Sequence, residues 1–319
     1  MAPMTRRAFA VVLLALVSAC GPARAAGGCA SAQFLVASPG GLQCFDQRGR
    51  VVARLVGLPA LAAPALATRQ LTTGRIFFAL TAVVDPKTGF GSDLMSVAPD
   101  GSDLRLVLAH ESDNVFYDAP SLDKSGSFLY FHRAAKISRN GAYLGTDSTI
   151  ERLDLASGHR TVVVHDAADP AISPDGKLLV YVRLADGRGD SLWAVDPAGT
   201  NARNLLRGHG FAQVQTPRFA PNDDRIAFSA AGHVAPTSAG LPHLAHLGIP
   251  SELYVVRADG TGLRSIATSA DDVIPGWSPD GASIAFISTG TLFVADIASG
   301  STRTVAAMQF PNGDVVWLR

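Results

Sequence analysis

Three groups of side chains in this chain of 319 residues have types that could do chemistry. The first is a histidine group. His233, His243 and His246 fall within "AAGHVAPTSAGLPHLAHLGIP" and make up three of the chain's eight histidines. Neutral imidazole binds zinc, copper or manganese. His243 and His246 would meet at one ion if "PHLAHL" turned as a helix. No Cys, Asp or Glu lies within the stretch, although Glu252 follows it. These are therefore weak metal candidates, and solvated or packing histidines are the plainer reading. The second group is Asp118, Asp169 and Arg218, each near the head of a recurring phrase. Such carboxylates could hold a ligand or cap turns within a repeat, and the guanidinium could contact an anionic group. The third group is the cysteines, Cys20, Cys29 and Cys44.

Catalytic signatures are thin. No G-x-S-x-G nucleophile elbow occurs, and "PTSAG" around Ser238 has Pro236 in place of the first Gly. There is no Walker phosphate loop and no dinucleotide fingerprint. "DPKTGFGSD" from Asp85 lacks the Asp-rich core and closing Glu of a calcium loop, so it reads as a hairpin loop. The expectation is a non-catalytic chain with no cofactor. Formal net charge is zero, which does not suggest a nucleic-acid binder with its clustered basic face.

The N-terminus carries the marks of export. "MAPMTRRAFAVVLLALVSAC" has a basic start, an apolar run and then small residues. "VSAC" ending at Cys20 has the form of a bacterial lipoprotein signal, and "TRRAF" that of a twin-arginine signal. Cleavage after Ala23–Ala25 by an ordinary signal peptidase is the alternative. We expect residues 1–20 to be a signal peptide, with Cys20 the lipidated residue, and residues 21–32 a flexible tether. The protein is then exported to the periplasm and held to a membrane by lipid. Cys29 and Cys44 either form a disulfide in that oxidising compartment or remain a free thiol and a buried one.

The elements that must position these groups are written as two alternating phrases. One is "ISPDGKLLVYVRL" from Ile172, with variants "WSPDGASIAFIS" from Trp277, "SLDKSGSFLYFHR" from Ser121 and "RFAPNDDRIAFSA" from Arg218. The other is "LYVVRADGTGLRSIA" from Leu253, with relatives from Leu42, Leu94, Ile150, Leu192 and Leu292. Each reads as strand, tight turn, strand. Together they give four strands at a period of about 50, the mark of a β-propeller blade. Counting the second phrase gives six units. The first lacks its opening strand, and a lone strand "DVVWLR" ends the chain. We therefore expect an all-β, six-bladed β-propeller of four-stranded blades over residues 33–319. The C-terminal strand would complete the first blade and close the ring.

The phrase from Asp169, "DPAISPDGKLLVYV", resembles the TolB-type propeller repeat, D-x-P-x-[WF]-S-P-D-G-x-x-[IL]-[AV]-[FY]. Trp277 and Asp118 head weaker copies. The resemblance covers about nine tenths of the mature chain and implies fold more than function. The separate N-terminal domain of the Tol component finds no counterpart in the dozen residues after Cys20. Nor is there room after Arg319 for the hydrolase domain that follows this repeat in some peptidases. Asp118, Asp169 and Arg218 would then stand at the mouth of a central channel. Long insertions at Thr81–Ser92, Ala134–Ser148 and Ala231–Pro250 would emerge as loops on one face, the kind of clustering that marks a binding face. The expected function is a monomeric envelope scaffold using that face for protein–protein interaction. The alternatives are a metal-dependent lyase or hydrolase-like propeller enzyme, or a periplasmic small-ligand or carbohydrate sensor.

Overall fold

β-Branched and aromatic runs bounded by turn residues extend into strands throughout the chain. The structure is a computed structural model that describes residues 28–55, 58, 62–232, 251–310 and 313–319. Every regular element among them is a strand. The first three are β1 (Phe34–Ser38), β2 (Gly41–Phe45) and β3 (Val51–Leu55). Then come β4 (Ala63–Arg69), β5 (Ile76–Asp85), β6 (Gly89–Val97) and β7 (Arg105–Leu108), followed by β8 (Val115–Leu122), β9 (Phe128–Arg139), β10 (Ala142–Asp154) and β11 (Arg160–His165). The next four are β12 (Ala167–Ile172), β13 (Leu179–Ala185), β14 (Arg188–Val195) and β15 (Arg203–Asn204). After them run β16 (Gln213–Phe219), β17 (Arg225–Ala231), β18 (Ser251–Arg257) and β19 (Arg264–Ser269). The last are β20 (Gly276–Trp277), β21 (Ser283–Ser288), β22 (Thr291–Asp296), β23 (Thr302–Ala307) and β24 (Asp314–Trp317).

β12–β15, β16–β19 and β20–β23 each form a four-stranded antiparallel sheet. β24 returns to complete the sheet of β1–β3, pairing antiparallel to β1 with Phe34 opposite Trp317 and Val36 opposite Val315. Arg69 at the end of β4 fastens this closure: its Nη1 donates to the Leu318 carbonyl at 2.8 Å. The remaining runs, β4–β7 and β8–β11, depart from the expected separate blades. A short parallel contact sets Gly91 of β6 opposite Val115 of β8 and Ser92 opposite Phe116, which merges them into one eight-stranded sheet. Glycine makes this approach possible, because a Cβ at position 91 would lie 2.3 Å from the Val115 carbonyl oxygen.

Adjacent residues of a strand point to opposite faces of its sheet. The second strand of each run exploits this. Phe78 packs with Leu35 and Cys44 of the first sheet, whereas its neighbour Phe77 packs with Tyr117 and Phe131. Tyr130 instead faces Ile150, Ile172 and Tyr181. Val180 meets Ile226 and Phe228, and Ala227 meets Ile284 and Phe286. Ala285 and Ile287 then reach Phe34, Val315 and Trp317, so the packing returns to the sheet where it began. Phe34, Phe78, Phe131 and Phe228 are all fully buried.

Two of the three insertions expected as loops are strand extensions. β5 and β6 carry their ladder out to Asp85 and Gly89, and β9 and β10 out to Arg139 and Ala142. The second of these closes on Asn140 and Gly141, both at positive φ (51° and 77°), the tight turn whose twist matches that of paired strands. The backbone therefore keeps its hydrogen bonds to the tip instead of giving them to water. The third insertion, with His233, His243 and His246, lies outside the described residues except for Ala231 and Gly232. So does Cys20.

The last residues of the expected tether are packed. The amide of Ala32 donates to the Cys29 carbonyl at 3.0 Å, and both side chains are buried. A disulfide joins Cys29 to Cys44 of β2, with their Cα atoms 5.6 Å apart. Closing a loop of this length restricts the unfolded chain. Replacing both cysteines by Ala is expected to cost about 3 kcal/mol, read from urea unfolding with and without reductant. Wild type should lose the same increment in reductant, and the double variant none.

Candidate functional site

Six strands form an inner ring: β4, β8, β12, β16, β20 and β24 each approach the next, and β24 returns to β4. Four of them carry the same irregularity. Their ladders skip at Ala65/Thr68, Asp118/Ser121, Ala168/Ala171 and Gln215/Arg218. At each skip one residue takes a positive φ: Leu66, Ala119, Asp169 and Thr216, all between 47° and 50°. Such bulges leave a residue out of the ladder and turn its amide away from the paired strand.

At two of the bulges a carboxylate from a neighbouring inner strand accepts from a freed amide. Asp169 Oδ2 accepts from the Thr216 amide at 2.8 Å, and Asp314 accepts from the amide of Ala67. The turn-capping role open to Asp169 in the sequence thus takes the form of a cap across strands. Asp118 has a different partner. It stands opposite His132 on β9, and its Oδ1 lies 3.0 Å from His132 Nδ1. His132 Nε2 is buried with no hydrogen-bond partner among the described residues. Arg218 donates from Nη1 to the Pro217 carbonyl, while its Nη2 lies 3.8 Å from Asp314 Oδ2, too far for a hydrogen bond.

The fold therefore brings Asp118 and Asp169 together, with Arg218 close enough to lower the pKa of Asp169. It adds His132 and Asp314, which sequence reasoning missed. Burial is the largest influence on Asp169 and raises its pKa, followed by the charge of Asp118; the Thr216 amide, His132 and Arg218 oppose the rise. For His132 burial pulls downward, but the charge and hydrogen bond of Asp118, with the charge of Asp169, hold the value above the ordinary range. Burial pushes Asp314 up to about 6 against the opposing charge of Arg218. Asp169, His132 and Asp314 thus hold their protons more tightly than they would in water. One ligand atom each from Asp118, His132 and Asp169 lie within 4.8 Å of one another. Tetrahedral ligands at about 2.1 Å from one divalent cation stand roughly 3.4 Å apart, so these three would have to draw closer together to hold one. A cleft of about 620 Å³ lies elsewhere, lined by Gln33, Asp46, Arg48, Arg50 and Arg319.

A second feature occupies the long hairpins. Among the described residues, nine large apolar side chains are exposed, and five sit here: Val84, Phe90, Ile137, Tyr143 and Leu144. The base of this surface is braced. Buried His110 has Nδ1 2.6 Å from Asp93, and its Nε2 is 2.9 Å from the Thr88 hydroxyl. The Asn114 amide donates to the Phe90 carbonyl at 2.7 Å, and the Lys136 amide to the Asn114 carbonyl at 3.1 Å. Phe90 meets Phe116 edge to face at 5.5 Å. Glu111 bonds both Arg133 and Arg160, which ties β9 to β11.

Radial antiparallel sheets around an inner ring of strands, closed by a strand from the opposite terminus, make this chain a β-propeller. Its fold is TolB-like. The chain superposes on TolB from Acinetobacter baumannii with a TM-score of 0.65 over 90% of this chain and 67% of that one, at 13% identity. It is 28% identical over 193 residues to the Tol-Pal system protein TolB of Albidiferax ferrireducens, covering 56% of this chain and 42% of the relative. It is 29% identical over 139 residues to the protein TolB homolog of Chlorobium luteolum, covering 42% and 27%. The chain thus spans less than half the length of these curated relatives. No family model matches it.

The raised Asp314 value has a definite sign. The folded state binds this proton more tightly than the unfolded state, so stability falls as pH rises from about 4 toward about 6. Asp314→Asn keeps an uncharged acceptor at the site. It is expected to melt above wild type at neutral pH, by at most about 3 kcal/mol in stability. The difference should vanish below pH 4 in melting curves recorded across that range.

Proposed function

We propose that this protein is an exported envelope scaffold that binds a protein partner through its long-hairpin face. The observation that carries the reading is the pair of exposed apolar side chains Val84 and Phe90, opposite one another at the braced base of the hairpins. A folded surface seldom leaves such groups clustered unless something covers them. The braced ground around Phe90 and Val84 is the part suited to a protein. It is held in place before contact, so little ordering remains to oppose association. The kinship with Tol-Pal system protein TolB supports an envelope setting and a role in protein association.

On this reading the six successive groups of four strands are the blades of one ring over residues 33–319. Residues 1–20 are a signal peptide, and Cys20 carries a lipid that holds the monomer to a membrane in the periplasm. The polar group around His132 serves the ring rather than a reaction.

The test is affinity capture from solubilised envelopes with wild type and a Val84→Asp/Phe90→Asp variant. Val84 is exposed, and Phe90→Asp gives up the Phe116 contact, so a thermal melt of the variant accompanies the capture to show that it is folded. We expect a partner with wild type and at least a tenfold loss with the variant, since burying an unpaired charge at a contact costs more than 1.4 kcal/mol. Equal capture by both proteins would remove the hairpin face from the reading.

A further inference from the structure

The outer end of the β9–β10 hairpin differs from its braced base. All nine residues from Lys136 to Leu144 are exposed. Within the run from Lys136 to Thr146 there are two cations, Lys136 and Arg139, and no carboxylate. Three large apolar groups share the same end: Ile137, Tyr143 and Leu144, at 48%, 44% and 60% exposure. We propose that this tip is a membrane finger that seats in the headgroup layer of an anionic bilayer. The inference goes beyond the protein-docking role of the Phe90 region and does not need it.

The register argues for immersion rather than face-on contact. Arg139 pairs with Ala142, Ser138 with Tyr143 and Ile137 with Gly145. Side chains of paired residues share a face and successive ones alternate, so Ile137 and Arg139 point to one face while Lys136 and Tyr143 point to the other. A groove on a protein would cover one face of a two-stranded tip. Entry into a fluid interface covers both. The ladder continues out to the turn, so few backbone groups enter the layer unpaired, the condition any segment must meet there.

The composition matches the same depth. Tyrosine combines an apolar ring with a polar end and favours the membrane–water interface. Arg139 can lay its stem against the apolar groups and keep its charge among phosphates, while the Lys136 ammonium, 4.8 Å from the centre of the Phe116 ring, has to swing outward to join it. Anionic lipid attracts such cations at short range, and the absence of carboxylates from the run leaves that attraction unopposed within the tip. The polar Asn140–Gly141 turn and Arg139 at the extremity keep the insertion shallow.

The experiment uses the chain from Gly21 onward, so that neither the apolar run of the signal nor a lipid on Cys20 contributes. An environment-sensitive dye is placed on Ser138→Cys at the tip. The vesicles are phosphatidylcholine alone or phosphatidylcholine with phosphatidylglycerol. The expected result is a blue shift and co-sedimentation with the anionic vesicles, with partitioning favoured about fivefold for each of the two cations. Lys136→Glu/Arg139→Glu should abolish the preference for anionic vesicles. Leu144→Asp should weaken partitioning into them, with the thermal melt of both variants unchanged. A dye that reports water in every vesicle would overturn the proposal, whatever the rest of the chain does. So would equal shifts in the variants. A photocrosslinker at position 144 that labels protein and never lipid in native envelopes would overturn it as well. Loss of the Phe90-dependent partner would leave these readouts untouched.

Discussion

Each sheet in this molecule has to be buried on both faces by its neighbours. A four-stranded sheet with one open face would leave half of its apolar side chains in water, and the second strands are written to prevent this. Phe77 and Phe78, or Tyr130 and Phe131, are consecutive large residues sent in opposite directions, each into a different cluster. The requirement passes from sheet to sheet and is met only when the series closes, which makes the pairing of β24 with β1 a condition for the rest. Once the ring is closed, the core makes no demand on the length of the outer hairpins. β9 and β10 can run past it, with Ile137 and Leu144 left in solvent.

The inner ring has the opposite character. Its strands converge where there is little room for large side chains, and their bulges release backbone amides that need partners. Asp169 and Asp314 supply them from adjoining strands, so the axis is held by hydrogen bonds between sheets. The consequence is a crowd of carboxylates near a single guanidinium, Arg218, and a histidine with one nitrogen unused. The elevated values of Asp169 and Asp314 express burial first, and for Asp169 the charge of Asp118 as well.

Much of this was legible in the residues. The strand–turn–strand phrases are local, so their turns and runs could be read one at a time. Asp118, Asp169 and Arg218 stood out because they occupy repeat positions. His132 did not, because its partnership with Asp118 depends on the register between β8 and β9, upstream of the skip between Asp118 and Ser121. Asp314 was hidden for another reason: it heads a strand that carries no SPDG phrase of its own. The extensions of β9 and β10 read as a loop when length alone is weighed. The Asn140–Gly141 pair between apolar residues was a local hairpin signal that would have corrected this. The merging of two sheets at Gly91 had no local signal, since it depends on Val115, 24 positions along the chain.

The disulfide also decides how the ring meets a pull. β1 is held to β24 by main-chain bonds along four residue pairs, and drawing on its end would open the ring at its seam. Cys29 lies upstream of β1, and its sulfur is bonded to Cys44 in the middle of the sheet. Tension arriving from the N-terminal side therefore has a covalent route into β2 that bypasses β1. The seam that completes the fold is spared any load that arrives from that side.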